Sequence, residues 1–471
     1  MTTQHIYLNK LYNNFMTKKL VSKEISKFVV NARVDPVTRK IAKRYLVDWI
    51  GSVIAGSSML PIRSIEKTIS SLGGNNQSTI LFKNKKTNVA HAAFINAAAA
   101  HVIEMDDLDR NSISHPGSCI IAACLAYAEY KKSTLNELLD AIIIGYEVMI
   151  RIGEELGPNH YKFWHTTGTA GTIGVSAAIS RLSNANELQT LMSIGSAGTM
   201  TSGLWEFLSD GAMSKQLHPA KAAYDGILAC LLSKNNFTSA TQILEGEKGL
   251  FAAMSPDAKP KKILNNLSVN QKKWKITGVS FKMYASCRHT HPAVEGAIQI
   301  KKQSDFEIDD IKSIQVEIYS QALDLLEGVE ANTPYAAKFN LPFCIASALI
   351  NGELGPQQFT DKTIQNKRIN SLAKKISFNV NKSLDKYYPK KWPSNVHLNL
   401  KNGQKISKNI LYPLGDPENP VNNKQIQEKY LLLTKRNLHP GQSQLLINNL
   451  LEKNKNISPN QLMSTLKRIR K

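Results

Sequence analysis

The chain has 471 residues, of which 42% are hydrophobic and 20% charged, too long and too apolar for a disordered segment and long enough for a large core split between two domains. Its 59 Lys+Arg against 37 Asp+Glu give a net charge of +22, which taken alone points to a polyanionic partner. Between Phe94 and Pro260, however, 17 acidic and 11 basic residues leave a net −6, so the excess is a Lys-rich exterior and nucleic-acid binding is not expected.

In chain order, Met1–Val30 carries five Lys and one Glu with no apolar signal core, so no targeting segment is read and a cytoplasmic protein is expected. From about Arg39 to Lys234 the text is helical. Arg44–Ile54 puts Leu46, Val47, Ile50, Val53 and Ile54 on one face, and Asn96–Met105 is Ala-rich. Ile120–Tyr130 and Leu135–Ile152 follow, the second entered by a capping box at Thr134 and Glu137. Thr169–Leu182 is rich in Gly, Ala and Ser, which lets another backbone come close and makes this a central helix; Leu217–Leu232 adds one more. Near Lys272 the period changes. Trp274–Tyr284 and Ile311–Tyr319 alternate as half-buried strands, with a helix over Pro292–Lys302 between them. Tyr335–Asn351 is helical, Ile376–Gln404 is strand-like and ends in a hairpin, and short helices close the chain. The expected architecture is mainly α: a large helical domain (residues 1–271 with 409–471) and a smaller inserted α/β lid (272–408).

No stretch has about 18 uninterrupted apolar residues, so no membrane span is expected. The five cysteines form no metal-binding or redox pattern and read as reduced, buried thiols.

Four polar clusters carry candidate chemistry. Glu104-Met105-Asp106-Asp107-Leu108-Asp109 crowds four carboxylates at the end of the Ala-rich helix, followed by Ser114 and His115. Acids at a helix C-terminus oppose its dipole, so the cluster is either an exposed loop or faces a cationic site. His165-Thr166-Thr167-Gly168-Thr169 opens the small-residue helix, where N–H groups and hydroxyls suit a carboxylate. Its glycines are not a dinucleotide fingerprint, and no strand precedes them. Lys215 and His218, three apart, can share one helical face and anchor an anion. In Ser286-Cys287-Arg288-His289-Thr290-His291-Pro292, Arg288 as a carboxylate clamp with His291 as acid/base is preferred over His289 and His291 as a metal pair, because H-x-H without clear carboxylate or Cys partners is a weak metal signal.

These strings in this order resemble the MmgE/PrpD family, which includes 2-methylcitrate dehydratases and cis-aconitate decarboxylases. The resemblance runs through R-Y-L-V-D-W-I-G from Arg44, A-F-I-N-A-A-A-A-H from Ala93, E-M-D-D with S-H-P-G from Glu104, and G-Y-E-V from Gly145. It continues through H-T-T-G-T-A-G-T-I-G from His165, S-K-Q-L-H-P-A-K-A-A from Ser214, S-C-R-H-T-H-P-A from Ser286 and A-K-F-N-L-P-F from Ala337.

It implies a helical domain with an α/β lid, a homodimer, and a site between the domains that acts on small di- or tricarboxylates with no metal or organic cofactor. By position the family's acid falls on Glu104 or Asp107, its histidines on His115 and His165, its lysine on Lys215 and its lid histidine on His291. Arg288, Thr166, Thr167, His218, His289 and Ser114 are the expected substrate contacts. The chain departs from the pattern in having Glu104 where relatives often have Asp and Leu108 where they often have Thr. The hydroxyl that Leu108 lacks falls to Ser112 or Ser114. His289 is additional, and the decarboxylase's lid tyrosine has no counterpart.

The expected reaction is dehydration of a 2-methylcitrate-like hydroxy acid. Decarboxylation of a cis-aconitate-like acid and epimerisation need the same anchors and are the alternatives. A non-catalytic, metabolite-binding homodimer is the further one.

Overall fold

The computed structural model describes residues 20–81, 83–452 and 457–466, so most of the Lys-rich N-terminal reading lies outside the described residues. Numbering helices of eight or more residues, the order is α1 (Val21–Asn31), α2 (Pro36–Gly56), α3 (Leu60–Ser71), a short hairpin β1 (Ser78–Ile80) and β2 (Lys85–Thr87), and α4 (Val89–His101). Then come α5 (Pro116–Lys131), α6 (Leu135–Tyr161), α7 (Thr166–Leu182), α8 (Glu187–Thr199) and α9 (Leu217–Lys234). The remainder is α10 (His291–Gln303), β3 (Ile311–Ile318), α11 (Leu341–Asn351), β4 (Ile376–Val380), β5 (Ser394–Leu400), β6 (Lys405–Ile410), α12 (Asn423–Thr434) and α13 (Pro440–Ile447). The chain is mainly helical, as the periodicity implies.

Local chemistry sets these boundaries. The Asp35 side chain accepts from the Thr38 N–H at 2.9 Å with Pro36 at the first turn of α2, and the Thr134–Glu137 capping box opens α6. The small-residue helix α7 is central: it packs on α6, α9, α5 and α8. At its crossing with α6 a Cβ on Gly174 would lie 2.5 Å from the Met149 Cβ, so glycine is what lets the two backbones meet.

The second part is a four-stranded sheet in the order β4–β3–β5–β6, parallel at β3/β4 and antiparallel elsewhere, with Ile314 opposite Ile376 and Val316 opposite Val396. Helix α10 lies on β5 and β6, Gly296 meeting Val396. The chain then returns: α12 packs on α2, and Lys429 pairs with Asp48 at 2.6 Å. One apolar core runs through both parts.

Two expectations need correcting. Trp274–Tyr284 is not a strand; it holds a 3-10 turn (Lys275–Gly278) and one isolated bridge, Ser280 to Leu108. Its alternating side chains are buried against helices instead, Trp274 on Phe28 (5.9 Å between ring centres) and Phe281 stacked on Tyr45 at 4.4 Å. A period of two reports alternate burial, and helices can supply that as well as a strand partner. Tyr335–Asn351 is a 3-10 turn (Ala336–Lys338) followed by α11, broken where Asn340 caps the Phe343 N–H and Pro342 follows. All five cysteines are buried and unbridged, and among the described residues no single helix is long and apolar enough to cross a membrane.

The α6/α7 crossing yields a prediction. Gly174→Val should cost about 1–3 kcal/mol in denaturant unfolding, as overpacking a filled core does. A variant as stable as the parent would contradict the close approach.

Candidate active site

The acidic string is not an exposed loop. Glu104, Asp106, Asp107 and Asp109 are all buried, with Glu104 only 1% exposed. Helix α4 ends at His101, and Glu104 adopts φ +59°, a left-handed conformation that non-glycine residues rarely take. That turn carries its carboxylate to two ammonium groups, Lys215 Nζ at 2.5 Å and Lys282 Nζ at 3.2 Å, with the Tyr335 hydroxyl donating at 3.2 Å. Burial alone would raise the Glu104 carboxyl, but the two lysines overcome it and hold it well below the usual carboxylate range. Burial pulls the Lys282 ammonium down, against the attraction of Glu104.

Histidines gather beside this triad. The rings of His101, His115 and His165 lie 5.0–6.0 Å apart. His101 Nδ1 is 2.7 Å from Asp106 Oδ2, and His115 Nδ1 is 3.5 Å from the same oxygen. His115 Nδ1 also lies 2.8 Å from the Asp107 carbonyl, which can only accept, so that nitrogen carries the proton and Nε2 has the lone pair. His165 shares a hydrogen bond with His218 through their Nδ1 atoms (3.1 Å) and packs on Trp205 at 4.8 Å. Burial pushes His115 down to about 3, His218 to about 3 and His165 well below the ordinary imidazole value, so all three are neutral at pH 7.

The sequence candidates therefore divide. Glu104, His115, His165, Lys215 and His218 come together. Asp107 lies behind them, accepting from Tyr146 Oη at 2.6 Å and the Gly117 N–H at 2.9 Å. Thr167 Oγ1 accepts from the His115 N–H at 3.0 Å, Thr166 is buried in the same turn, and Ser112 and Ser114 hydroxyls bond each other at 2.7 Å.

In the fourth cluster Arg288 Nη2 is engaged with Asp416, as Arg110 is at 3.2 Å, so the expected clamp already has a carboxylate. His289 and His291 diverge. His289 bonds the Tyr319 hydroxyl at 2.6 Å and stacks on Trp392, whereas His291 Nε2 donates to the Ser286 carbonyl at 3.2 Å. Ligand-capable atoms of His101, Asp106 and His115 fall within 4.8 Å of one another, with His115 Nδ1 also bonded to the Asp107 carbonyl.

Sequence reasoning missed His101, Lys282, Tyr335 and Lys338. Lys338 Nζ donates to the carbonyls of Ile103 (2.8 Å) and Ala285 (3.0 Å), tying the Glu104 turn to the Lys282 segment, and burial pulls it down to about 7. The available signal was a lone charged or polar residue inside apolar text, as in A-A-A-A-H and V-S-F-K-M-Y. Two surface depressions, of about 470 and 730 Å³, border the cluster. Tyr335 and Phe339 line the first and touch Glu104 and Lys215; Trp205 lines the second and touches His165.

A mainly helical chain with its buried lysines, acids and histidines drawn to one enclosed place has the features of an acid/base enzyme more than of a surface-binding protein. The family models make that class specific. Residues 23–263 match the MmgE/PrpD N-terminal domain and residues 284–453 the MmgE/PrpD C-terminal domain, so the chain belongs to the MmgE/PrpD family. It is 23% identical over 444 residues to the cis-aconitate decarboxylase-like protein oryM of Aspergillus oryzae, covering 87% of this chain and 89% of that one. It is 22% identical over 448 residues to the cis-aconitate decarboxylase of Aspergillus terreus (88% and 89%) and 21% identical over 440 residues to that of Homo sapiens (88% of each).

The environment of Asp107 makes a pH prediction. Burial first, then Asp106, raise its carboxyl from 3.8 to about 7 against the Tyr146 and Gly117 hydrogen bonds. The folded chain then binds a proton that the unfolded chain has released, so this group's contribution falls as pH rises between about 4 and 7. Relative to Asp107→Asn, which lacks that titration, the parent should lose unfolding free energy across this window and run parallel above it. Denaturant curves that stay parallel throughout would contradict the raised value.

Proposed function

We propose that this chain is a carboxy-lyase that decarboxylates a small unsaturated tricarboxylate of the cis-aconitate type. The observation that carries the reading is the buried Glu104–Lys215–Lys282 triad beside neutral His115 and His165. Fixed ammonium groups in a dry interior are strong seats for carboxylates, and they stabilise the negative charge left on carbon when CO2 departs. In that step the bond to the leaving carboxylate breaks, its electron pair stays on the substrate carbon, and that carbon then takes a proton from the site. Lys215 and Lys282 hold carboxylates, with Glu104 setting their positions, and His115 and His165 border the reacting carbon. Thr166, Thr167, His218 and Ser114 shape the floor; Arg288, His289 and His291 support the wall.

Relatives named as cis-aconitate decarboxylases, each matched over nearly nine-tenths of its length, support decarboxylation over dehydration. So does the disposition of acids. Expulsion of hydroxide needs a protonated group at the leaving oxygen. The carboxyls with raised values, Asp48, Asp107, Asp109 and Asp225, are turned to Lys429, to Tyr146 with Gly117, to Ser112 and to Lys221. A homodimer working without metal or organic cofactor is part of the proposal.

Incubation with cis-aconitate, citrate and 2-methylcitrate in D2O, followed by NMR, distinguishes the reactions. The expected result is CO2 release with one deuteron in the product from cis-aconitate, and a loss of roughly 10³-fold or more in kcat/KM for Lys215→Met. Water loss from 2-methylcitrate without CO2, or full activity in Lys215→Met, would overturn it.

A further inference from the structure

His101 has no role in the reading above, yet it is the most deeply placed ring in the site, fully buried in the last turn of α4. Its Nδ1 faces Asp106 Oδ2 at 2.7 Å, while its Nε2 is buried with no hydrogen-bond partner among the described residues. Such an atom is costly to leave unpaired and marks a place where something else comes to bind. Burial opposes ionisation of Asp106, but the two imidazoles, His101 foremost, outweigh it and keep the carboxyl below its ordinary value.

Charge balance shows what is missing. With His115, His165 and His218 uncharged, the interior sets Glu104 and Asp106 against the ammonium groups of Lys215, Lys282 and Lys338, so its fixed charges nearly balance. Behind Asp106, Asp48 is paired with Lys429, and Asp107 is bonded to Tyr146 and Gly117. A di- or trianionic substrate entering this enclosure would leave it net negative, an expensive state in low dielectric unless protons enter too. Lys338, drawn down to about 7 by burial, is already held by the carbonyls of Ile103 and Ala285, which accept from it; the imidazoles that remain differ in their helix ends. His115 and His165 immediately precede α5 and α7, His218 lies in the first turn of α9 and His291 begins α10, all at the positive pole. His101 alone of these stands at a helix C-terminus, where a cation is favoured, and it alone touches Asp106 at full hydrogen-bond distance.

We propose that His101, oriented by Asp106, is the proton store of the site, taking up one proton from solvent at Nε2 as a polycarboxylate binds. This rests on the decarboxylase reading, in which each turnover consumes one proton. When the substrate carbon has lost CO2, the Nε2–H bond breaks, its electron pair stays on nitrogen, and the proton joins the carbon's electron pair to form the new C–H bond. Asp106 keeps the ring's Nδ1–H in place throughout and acts as a positioning residue.

The test is calorimetric titration of the full chain with propane-1,2,3-tricarboxylate, which has no alkene and is not decarboxylated by this route. At pH about 7.5, in buffers of different ionisation enthalpy, the slope of observed heat against buffer enthalpy counts the protons. About one proton per site is expected for the parent. His101→Asn keeps an N–H donor for Asp106 and should bind with uptake near zero, affinity weakened about tenfold, the equivalent of one unit of proton affinity. Its kcat should fall by roughly 10²-fold, with KM rising about as much as the affinity weakens. Binding to the parent without proton uptake, or undiminished uptake in His101→Asn, overturns the proton store and leaves the decarboxylase reading standing. No binding of the tricarboxylate at all overturns that reading and this one with it.

Discussion

Glu104 lies 1% exposed between Lys215 and Lys282, at a left-handed backbone position that closes α4. A lone carboxylate could not stay ionised there, and neither lysine could be buried without it, so the three charges require one another. The backbone conformation at Glu104 costs of order 1 kcal/mol or more and persists because its surroundings fix it. Lys338 fastens the carbonyl of Ile103 to that of Ala285, and Lys429 holds the carbonyl of Met105, so buried ammonium groups brace the turn on both sides of Glu104. The helical part supplies Glu104 and Lys215, the segment after Trp274 supplies Lys282, and the loop before α11 supplies Tyr335.

Burial above all presses His115 and His165 toward the free base; the lysines of the triad add to it, Asp106 opposes it at His115, and hydrogen bonds to Asp107, His218 and the adjoining turns fix the rings. An interior that nearly balances its own charges is stable without substrate and is unbalanced by an entering polyanion. In the proposed reaction, recognition of a small carboxylate and movement of a proton are two aspects of the same electrostatic condition.

Much of this was legible in the sequence, and the gaps have physical reasons. The helical face of Arg44–Ile54, the Thr134 capping box and the small residues of Thr169–Leu182 all speak through local periodicity, and α2, α6 and α7 follow from them. The four polar clusters stood out because they are dense. What density cannot reveal is a single buried charge whose partner is distant in the chain: Lys282 lies 178 residues from Glu104, and Tyr335 lies 231 from it. His101 hid in an alanine run for the same reason. Arg288 shows the converse, since its string looked free to clamp a substrate until Asp416, 128 residues on, appeared against it. The strand reading of Trp274–Tyr284 failed because alternation was satisfied by packing on Phe28 and Tyr45.

The central claim is that the paired lysines around Glu104, with the histidines beside them, are the seat of a small polycarboxylate. A crystal structure of the chain with propane-1,2,3-tricarboxylate bound tests this most directly. The account predicts a ligand carboxylate within hydrogen-bond distance of Lys215 and Lys282, with the rings of His115 and His165 against the carbon skeleton. A ligand held elsewhere, with the Glu104 triad closed and untouched, would contradict it.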